Sequence, residues 1–201
     1  MKVAGITMRS SAQIASVFDS DSIEACWYEF LRACGFATLL LPNDPRAARS
    51  LLQKVQPNAI ILSGGGDPAC ISGTVTVRDV VEIEAIQWST QAKVPLIGVC
   101  RGMEVLLGLE GASWCKASRH AGTTHYIYGL IQRQVNSYHH FTTSGPVGAF
   151  KVLATDDHGN IECVADADRG RFGIMWHPER NKPFIDHDIA LFREWLNYIW
   201  Q

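Results

Sequence analysis

The chain has 201 residues, 47% of them hydrophobic and 19% charged, with a formal net charge of −2. That apolar fraction excludes a disordered chain, and the length suits one α/β unit over residues 1–201 with a core that needs no staples. Eighteen basic residues against 20 acidic ones leave no polyanion-binding field, and no apolar run nears the roughly 20 residues of a membrane helix.

The opening residues, MKVAGITMRS, do not read as a secretory signal, so a cytoplasmic protein is expected. Lys2–Thr7 reads as a buried strand. Asp21–Cys34 carries apolar residues at 23, 26, 27, 30 and 31, a helical stripe closed by Gly35. Phe36–Leu41 is a strand, Pro45–Val55 a helix, and Ala59–Leu62 a strand running into Ser63-Gly64-Gly65-Gly66-Asp67-Pro68. A helix over Thr76–Gln91, a strand over Pro95–Val99 and a helix over Arg101–Leu109 follow. Strands alternating with helices predict βαβ units, hence a mostly parallel sheet covered on both faces.

After Gly111 the helical period fades. Short strands are expected at Tyr126–Ile131, Gln134–Asn136, Lys151–Thr155, Ile161–Ala165 and Phe172–Trp176, an antiparallel or mixed extension. A last helix, about Asp186–Trp200, would bury Ile189, Phe192, Leu196 and Ile199. Six cysteines form no CxxC pair, so Cys26, Cys34, Cys115 and Cys163 read as reduced, mostly buried small hydrophobes.

Cys100 stands apart, because the strand ending at Val99 meets a helix beginning at Arg101. A thiol there sits at a helix N-terminus, where the dipole and free N–H groups favour thiolate. Gly98 and Gly102 remove side chains where a sharp strand-to-helix turn crowds the backbone, the logic of a nucleophile elbow. A thiolate nucleophile needs a base and the base an orienting acceptor. His177 at the end of an apolar strand, with Glu179 two residues on, supplies both types. The glycine run at 64–66 exposes backbone N–H groups, so that Gly65 and Arg101 could form an oxyanion hole.

SGGGDP, GVCRGME and MWHPE, in that order at successive strand ends, resemble the class I glutamine amidotransferase domain, in particular its free-standing γ-glutamyl hydrolase-like branch. GIT at 5–7, Arg78-Asp79 with Glu82, and Val135-Asn136-Ser137-Tyr138-His139-His140 support the resemblance, which spans essentially the whole chain. It implies a flavodoxin-like α/β fold and a Cys100-His177-Glu179 triad that cleaves a γ-glutamyl amide through a thioester, without cofactor or metal. Gly65 and Arg101 would hold the oxyanion, and Gly64, Ser137, Tyr138 and His139 would line the pocket. Two positions depart from the family pattern: Glu104 stands where Gln is usual, and Phe141 where Gln is frequent. A Glu104 carboxylate one turn beyond Cys100 could pair with a substrate's α-ammonium group.

His120 and His125 lie five apart and His139 and His140 are adjacent, poor spacings for metal ligands with no acidic partner in view, so no metal is expected. Arg9, Arg101, Arg119, Arg180 and Lys182 fall in or beside the site loops and together suit an anionic leaving group, although each could be a solvated charge. With GITMR and HPER, this resembles the γ-glutamyl-CDP-amidate hydrolases of surface-polysaccharide phosphoramidate pathways, which implies a nucleotide-linked small-molecule substrate. The alternatives are a glutaminase subunit passing ammonia to a separate partner synthetase, a hydrolase of γ-glutamylated amines, and a degenerate scaffold. Neither nucleic acid nor membrane is expected as a partner.

Overall fold

The computed structural model, which describes residues 1–11, 19–117 and 120–198, contains a nine-stranded mixed sheet. Its parallel part runs in the order Phe36–Leu41, Lys2–Thr7, Ala59–Leu62, Leu96–Val99, Arg171–Ile174. Pairing then turns antiparallel through Ile161–Asp166, Lys151–Thr155, Thr123–Gly129 and Arg133–Ser137.

Every residue of Ala59–Leu62 and Leu96–Val99 is buried, as central parallel strands must be when helices cover both faces. Side chains alternate between those faces. Ile61, Ile97 and Val99 pack with Trp27, Phe30 and Leu31 of helix Cys26–Ala33 and with Phe192 and Leu196 of helix Asp186–Leu196. Ile60, Leu62 and Leu96 pack on the other side with Leu52, Ala85, Ile86, Met103 and Leu106, from helices Pro45–Val55, Val77–Ala92 and Arg101–Leu109. The doubly covered α/β sheet expected from the sequence is therefore the one formed.

Local departures have local causes. The helix expected from Asp21 begins only at Cys26. Asp21 and Ser22 instead pair antiparallel with Ser10 and Arg9, and the Asp21 carboxylate accepts from the Asn43 backbone N–H and side-chain amide. The last helix ends at Leu196 rather than near Trp200, and Ile199 lies outside the described residues. The strand expected at Tyr126–Ile131 lies at Thr123–Gly129, ending where Gly129 takes φ 140 against the Leu153 carbonyl. Cys115 is exposed and Cys26 only partly buried, unlike Cys34 and Cys163, so the expected burial holds for two of those four.

Register places the functional segments. Leu62 pairs with Gly98, and Val99 with Ile174. The chain segments leaving these three strands, Ser63–Gly66, Cys100–Glu104 and Met175–Glu179, thus emerge side by side at the carboxyl edge, where ligand sites of open α/β sheets lie. Two glycines let the middle turn close. A Cβ on Gly98 would stand 2.5 Å from the Gly102 carbonyl carbon, and one on Gly102 would drive into the Leu62 carbonyl oxygen. Gly102→Ala is accordingly expected to lower the unfolding free energy by about 1–3 kcal/mol, read from the denaturant midpoint. An unchanged midpoint would show that the helix start can slide off the strand end.

Candidate active site

Cys100 occupies the N-cap of helix Arg101–Leu109 with φ 52 and ψ −107, a conformation sparsely populated by residues with a Cβ. Its N–H donates to the Ile174 carbonyl at 2.7 Å, and its carbonyl accepts from Glu104 N–H at 3.0 Å, so the turn is bonded to the neighbouring strand and to its own helix. The thiol is buried. Burial pushes its pKa up, and the Glu104 carboxylate adds to this, while the Arg101 backbone N–H and the Arg180 guanidinium pull it down. The helix N-terminus expected to favour thiolate is therefore outweighed by desolvation, and the resting side chain holds its proton.

His177 is buried beside it. Its Nδ1 lies 2.6 Å from Glu179 Oε1, and Glu179 is fully buried. With the Nδ1 hydrogen directed to the carboxylate, Nε2 is the nitrogen turned away from Glu179. A Cβ placed on Gly64 would sit 3.3 Å from His177 Nε2, 2.5 Å from Cε1 and 3.5 Å from Cys100 Cβ. The imidazole and the Cys100 Cβ thus border one point, and only glycine leaves it open.

Asn136, given no role from the sequence, fixes the backbone of His177. Its side-chain oxygen accepts from the His177 N–H at 2.8 Å and its amide donates to the His177 carbonyl at 2.8 Å. Strand alternation carried a signal for it: Val135 and Ser137 are buried on one face, so Asn136 points to the other.

The glycine loop is held by a second unassigned residue. Arg78 donates to the carbonyls of Ser63, Gly64 and Gly65 at 2.6, 3.3 and 2.7 Å, leaving the loop's N–H groups as the donors it can still offer. Thr7 joins this network, taking the Ser63 N–H on its hydroxyl at 3.0 Å and accepting from the Ser63 hydroxyl on its carbonyl at 2.7 Å. Gly65 has φ 89, with the Arg9 guanidinium against its open side.

The basic residues are mostly spoken for. The Arg101 guanidinium is buried, hydrogen-bonded to Asp79 at 2.8 Å and ion-paired with Glu82 at 3.1 Å, so its side chain serves the scaffold and only its backbone N–H faces the sulfur. Arg9 and Arg180 share Glu24, each at 2.8 Å, and Arg180 also stands 3.8 Å from Glu179, so two carboxylates face the two guanidinium groups. Burial raises the Glu24 pKa, but hydrogen bonding and charge from Arg180, with Arg9 behind, outweigh it and hold the carboxyl below its usual value. The Arg180 guanidinium lies 4.5 Å over the Tyr138 ring, and that ring stands 5.5 Å from His177. Lys182 instead pairs with Glu29 on an exposed surface, and Arg119 lies outside the described residues.

Three further expectations are corrected. Glu104 is buried beside Cys100; burial, then the nearby Asp67 and Glu82 carboxylates, push its pKa up to about 8. Near neutral pH it is mainly a neutral carboxylic acid, a donor and acceptor like the Gln it replaces, rather than the carboxylate pictured for an α-ammonium group. His139 is turned from the pocket: its Nε2 is 3.1 Å from His120 Nδ1 and 3.3 Å from Glu162. Ser137 is fully buried, and its hydroxyl has no hydrogen-bond partner among the described residues. The acidic partner that chain spacing failed to offer the histidines is supplied by the fold, as Glu162. Of the residues expected to line the pocket, Gly64, Tyr138, Arg9 and Arg180 do gather around His177. A cleft of about 120 Å³ is lined by Arg9, Gly65, Arg78 and Arg101. A wider cavity of about 460 Å³ lies at the opposite edge of the sheet, among Lys2, Asn58, Pro95 and Asn197, remote from this chemistry.

A family model for glutamine amidotransferase class-I matches residues 16–191. A γ-glutamyl-CDP-amidate hydrolase of Campylobacter jejuni is 29% identical over 70% of this chain and 70% of its own length. A subunit of the glutamine-hydrolyzing GMP synthase of Natronomonas pharaonis is 26% identical over 74% of this chain and 78% of its own. A solved Thermoplasma acidophilum structure, described as a candidate GMP synthase subunit, superposes with a TM-score of 0.72 over 99% of this chain and 94% of its own at 16% identity. That last likeness shows the shared fold. No helix among the described residues is long and apolar enough to cross a membrane.

The Glu104 environment sets a pH signature. A carboxyl whose folded pKa stands near 8 against 4.5 binds its proton more tightly when folded. It therefore contributes stability that is complete below 4.5 and lost as pH rises through about 8. Glu104→Gln is expected to gain in melting temperature over wild type across that window and to hold a constant gain above it. A pH-independent difference would show that Glu104 does not titrate there.

Proposed function

The chain belongs to the class-I glutamine amidotransferase family, and from that membership we propose that it hydrolyses a γ-glutamyl amide bond with Cys100 as nucleophile. The observation that carries this reading is the convergence of Cys100 and His177 on the open point at Gly64, with Glu179 bonded to the far nitrogen of the imidazole.

Because burial keeps the thiol protonated, catalysis begins with transfer of the Cys100 proton to His177 Nε2, and the Glu179 carboxylate stabilises the imidazolium. Sulfur attacks the side-chain amide carbon. The resulting oxyanion is received by the N–H groups of Gly65 and Arg101; losing one such donor typically costs about 10²–10³-fold in rate. Collapse breaks the C–N bond as His177 returns its proton to the departing amine. Water, deprotonated in turn by His177, attacks the γ-glutamyl thioester; glutamate leaves and Cys100 recovers its proton.

An anionic leaving group is the second part of the reading. One observation favours it: the partly exposed Arg9 guanidinium lines the cleft at Gly65 together with Arg78 and Arg101. The Campylobacter relative's name points to the same substrate class, a γ-glutamyl group on a nucleotide-linked nitrogen. Ammonia delivery to a partner synthetase is the competing use of the same site.

A substrate panel separates these. Glutamate release is expected from a γ-glutamyl nucleotide phosphoramidate in preference to glutamine and γ-glutamylated amines, and Cys100→Ala should abolish it. Arg9→Ala is expected to raise KM for the anionic substrate about 10-fold or more, with little change for glutamine. Glutamine turnover that appears only with a synthetase present would favour the competing use. Undiminished turnover by Cys100→Ala would overturn the mechanism.

A further inference from the structure

Three imidazoles and a carboxylate meet inside the antiparallel half of the sheet, apart from the triad. His125 lies on strand Thr123–Gly129, Glu162 on Ile161–Asp166, His139 just beyond Arg133–Ser137, and His120 on the approach to Thr123. His120, His139 and Glu162 are buried and His125 partly so. Glu162 Oε1 stands 3.3 Å from His139 Nε2, 3.4 Å from His125 Nε2 and 3.8 Å from His120 Nδ1. His120 Nδ1 and His139 Nε2 are 3.1 Å apart.

The outward nitrogens decide which atoms face inward as acceptors. His139 Nδ1 lies 2.9 Å from the Phe141 carbonyl, which can only accept, so the hydrogen sits on Nδ1 and Nε2 keeps its lone pair. His120 Nε2 faces Asp156 Oδ2 at 3.3 Å, and the Asp156 carboxylate already accepts from the His158 and Asn160 backbones and the Asn160 amide. A hydrogen on that nitrogen leaves the Nδ1 lone pair of His120 inward. Two imidazole lone pairs and a carboxylate then share one small space. Neither Glu162 oxygen and neither His125 nitrogen makes a hydrogen bond of sound geometry among the described residues, although Glu162 is fully buried. Such groups are costly to bury unsatisfied. A proton can join one pair of them, whereas a cation at the centre would satisfy all four.

The spacing identifies the kind of cation. Zinc-to-nitrogen bonds of about 2.0–2.1 Å at tetrahedral angles set neighbouring ligand atoms about 3.3 Å apart. Four of the six ligand-to-ligand separations, 3.1 to 3.8 Å, bracket that value; His120, His125 and Glu162 offer atoms within 4.8 Å of one another, and His139 lies close to His120 and Glu162 but outside that group. The contacts of His139 to a backbone carbonyl and of His120 to a carboxylate are the outer partners that metal-bound imidazoles use. We propose that His120 Nδ1, His125 Nε2, His139 Nε2 and Glu162 Oε1 form a binding site for one divalent ion of the zinc class. With His139 drawn in as the fourth ligand no position is left open, which makes the ion structural. It ties two strands of the extension to the segment 137–140, whose Tyr138 ring stands against His177.

The test uses the full chain, stripped with a chelator, dialysed, and given Zn²⁺ or Co²⁺ alone. About one Zn²⁺ per chain should be retained, with a rise in melting temperature, and Co²⁺ should give the strong visible bands of a four-coordinate nitrogen–oxygen site. His125→Ala and Glu162→Gln, checked for folding by circular dichroism, should bind at least about 100-fold more weakly, while Cys100→Ala should bind like wild type. Folded wild type that retains no metal overturns the proposal. So does equal retention by a folded ligand variant, or loss of binding in Cys100→Ala, which would place the ion at the triad. If neither ligand variant folds, the Co²⁺ spectrum decides: bands of a four-coordinate site support the proposal, and an octahedral spectrum contradicts it.

Discussion

Cys100 is held at φ 52 and ψ −107, where a residue with a side chain pays about 1–3 kcal/mol, and the arrangement of the carboxyl edge follows from how that conformation is kept. The neighbouring strand supplies the Ile174 carbonyl to the Cys100 N–H. Gly98 and Gly102 supply the clearance, each at a contact that a methyl group would not survive unchanged. With the turn so fixed, Cys100 stands between the strand that leads to the glycine loop and the strand that leads to His177. Three motifs far apart in the chain become one site because their strands are neighbours in register.

Two charge networks support that edge, and both are internal. Arg78 and Arg101 lie buried with Asp79 and Glu82, and through Arg78 the ion pairs reach the carbonyls of the glycine loop. Removing one partner would leave a buried charge uncompensated, so the network acts as a brace for the proposed oxyanion donors. Glu104 is treated differently by the same surroundings. Among the described residues no cation forms an ion pair with it, and burial with the nearby Asp67 carboxylate pushes its pKa up to about 8.

Elements set by local pattern were legible in the sequence. Continuous apolar runs such as Ala59–Leu62 marked the central strands, and Gly98-Val99-Cys100-Arg101-Gly102 marked the sharp turn. Features set by tertiary pairing were not. Asp21 was expected to open the helix that carries the stripe at 23–31, yet its partners are Ser10 and Asn43. Arg101 reads as a pocket cation until Asp79 and Glu82 are found beside it. His120, His125, His139 and Glu162 have no motif spacing, because four separate stretches of a folded sheet bring them together. Asn136 was visible within the Val135–His140 stretch, but its two bonds to the His177 backbone depend on a strand and a turn 41 positions apart.

Capture of the covalent intermediate tests the proposed mechanism most directly. A γ-glutamyl amide is mixed with the enzyme, quenched in acid during turnover, and the chain is digested for mass spectrometry. A γ-glutamyl group in thioester linkage is expected on the peptide carrying Cys100, absent from Cys100→Ala and lost on treatment with hydroxylamine. Turnover at full rate with no acyl group on Cys100, or with the group on another cysteine, would contradict it.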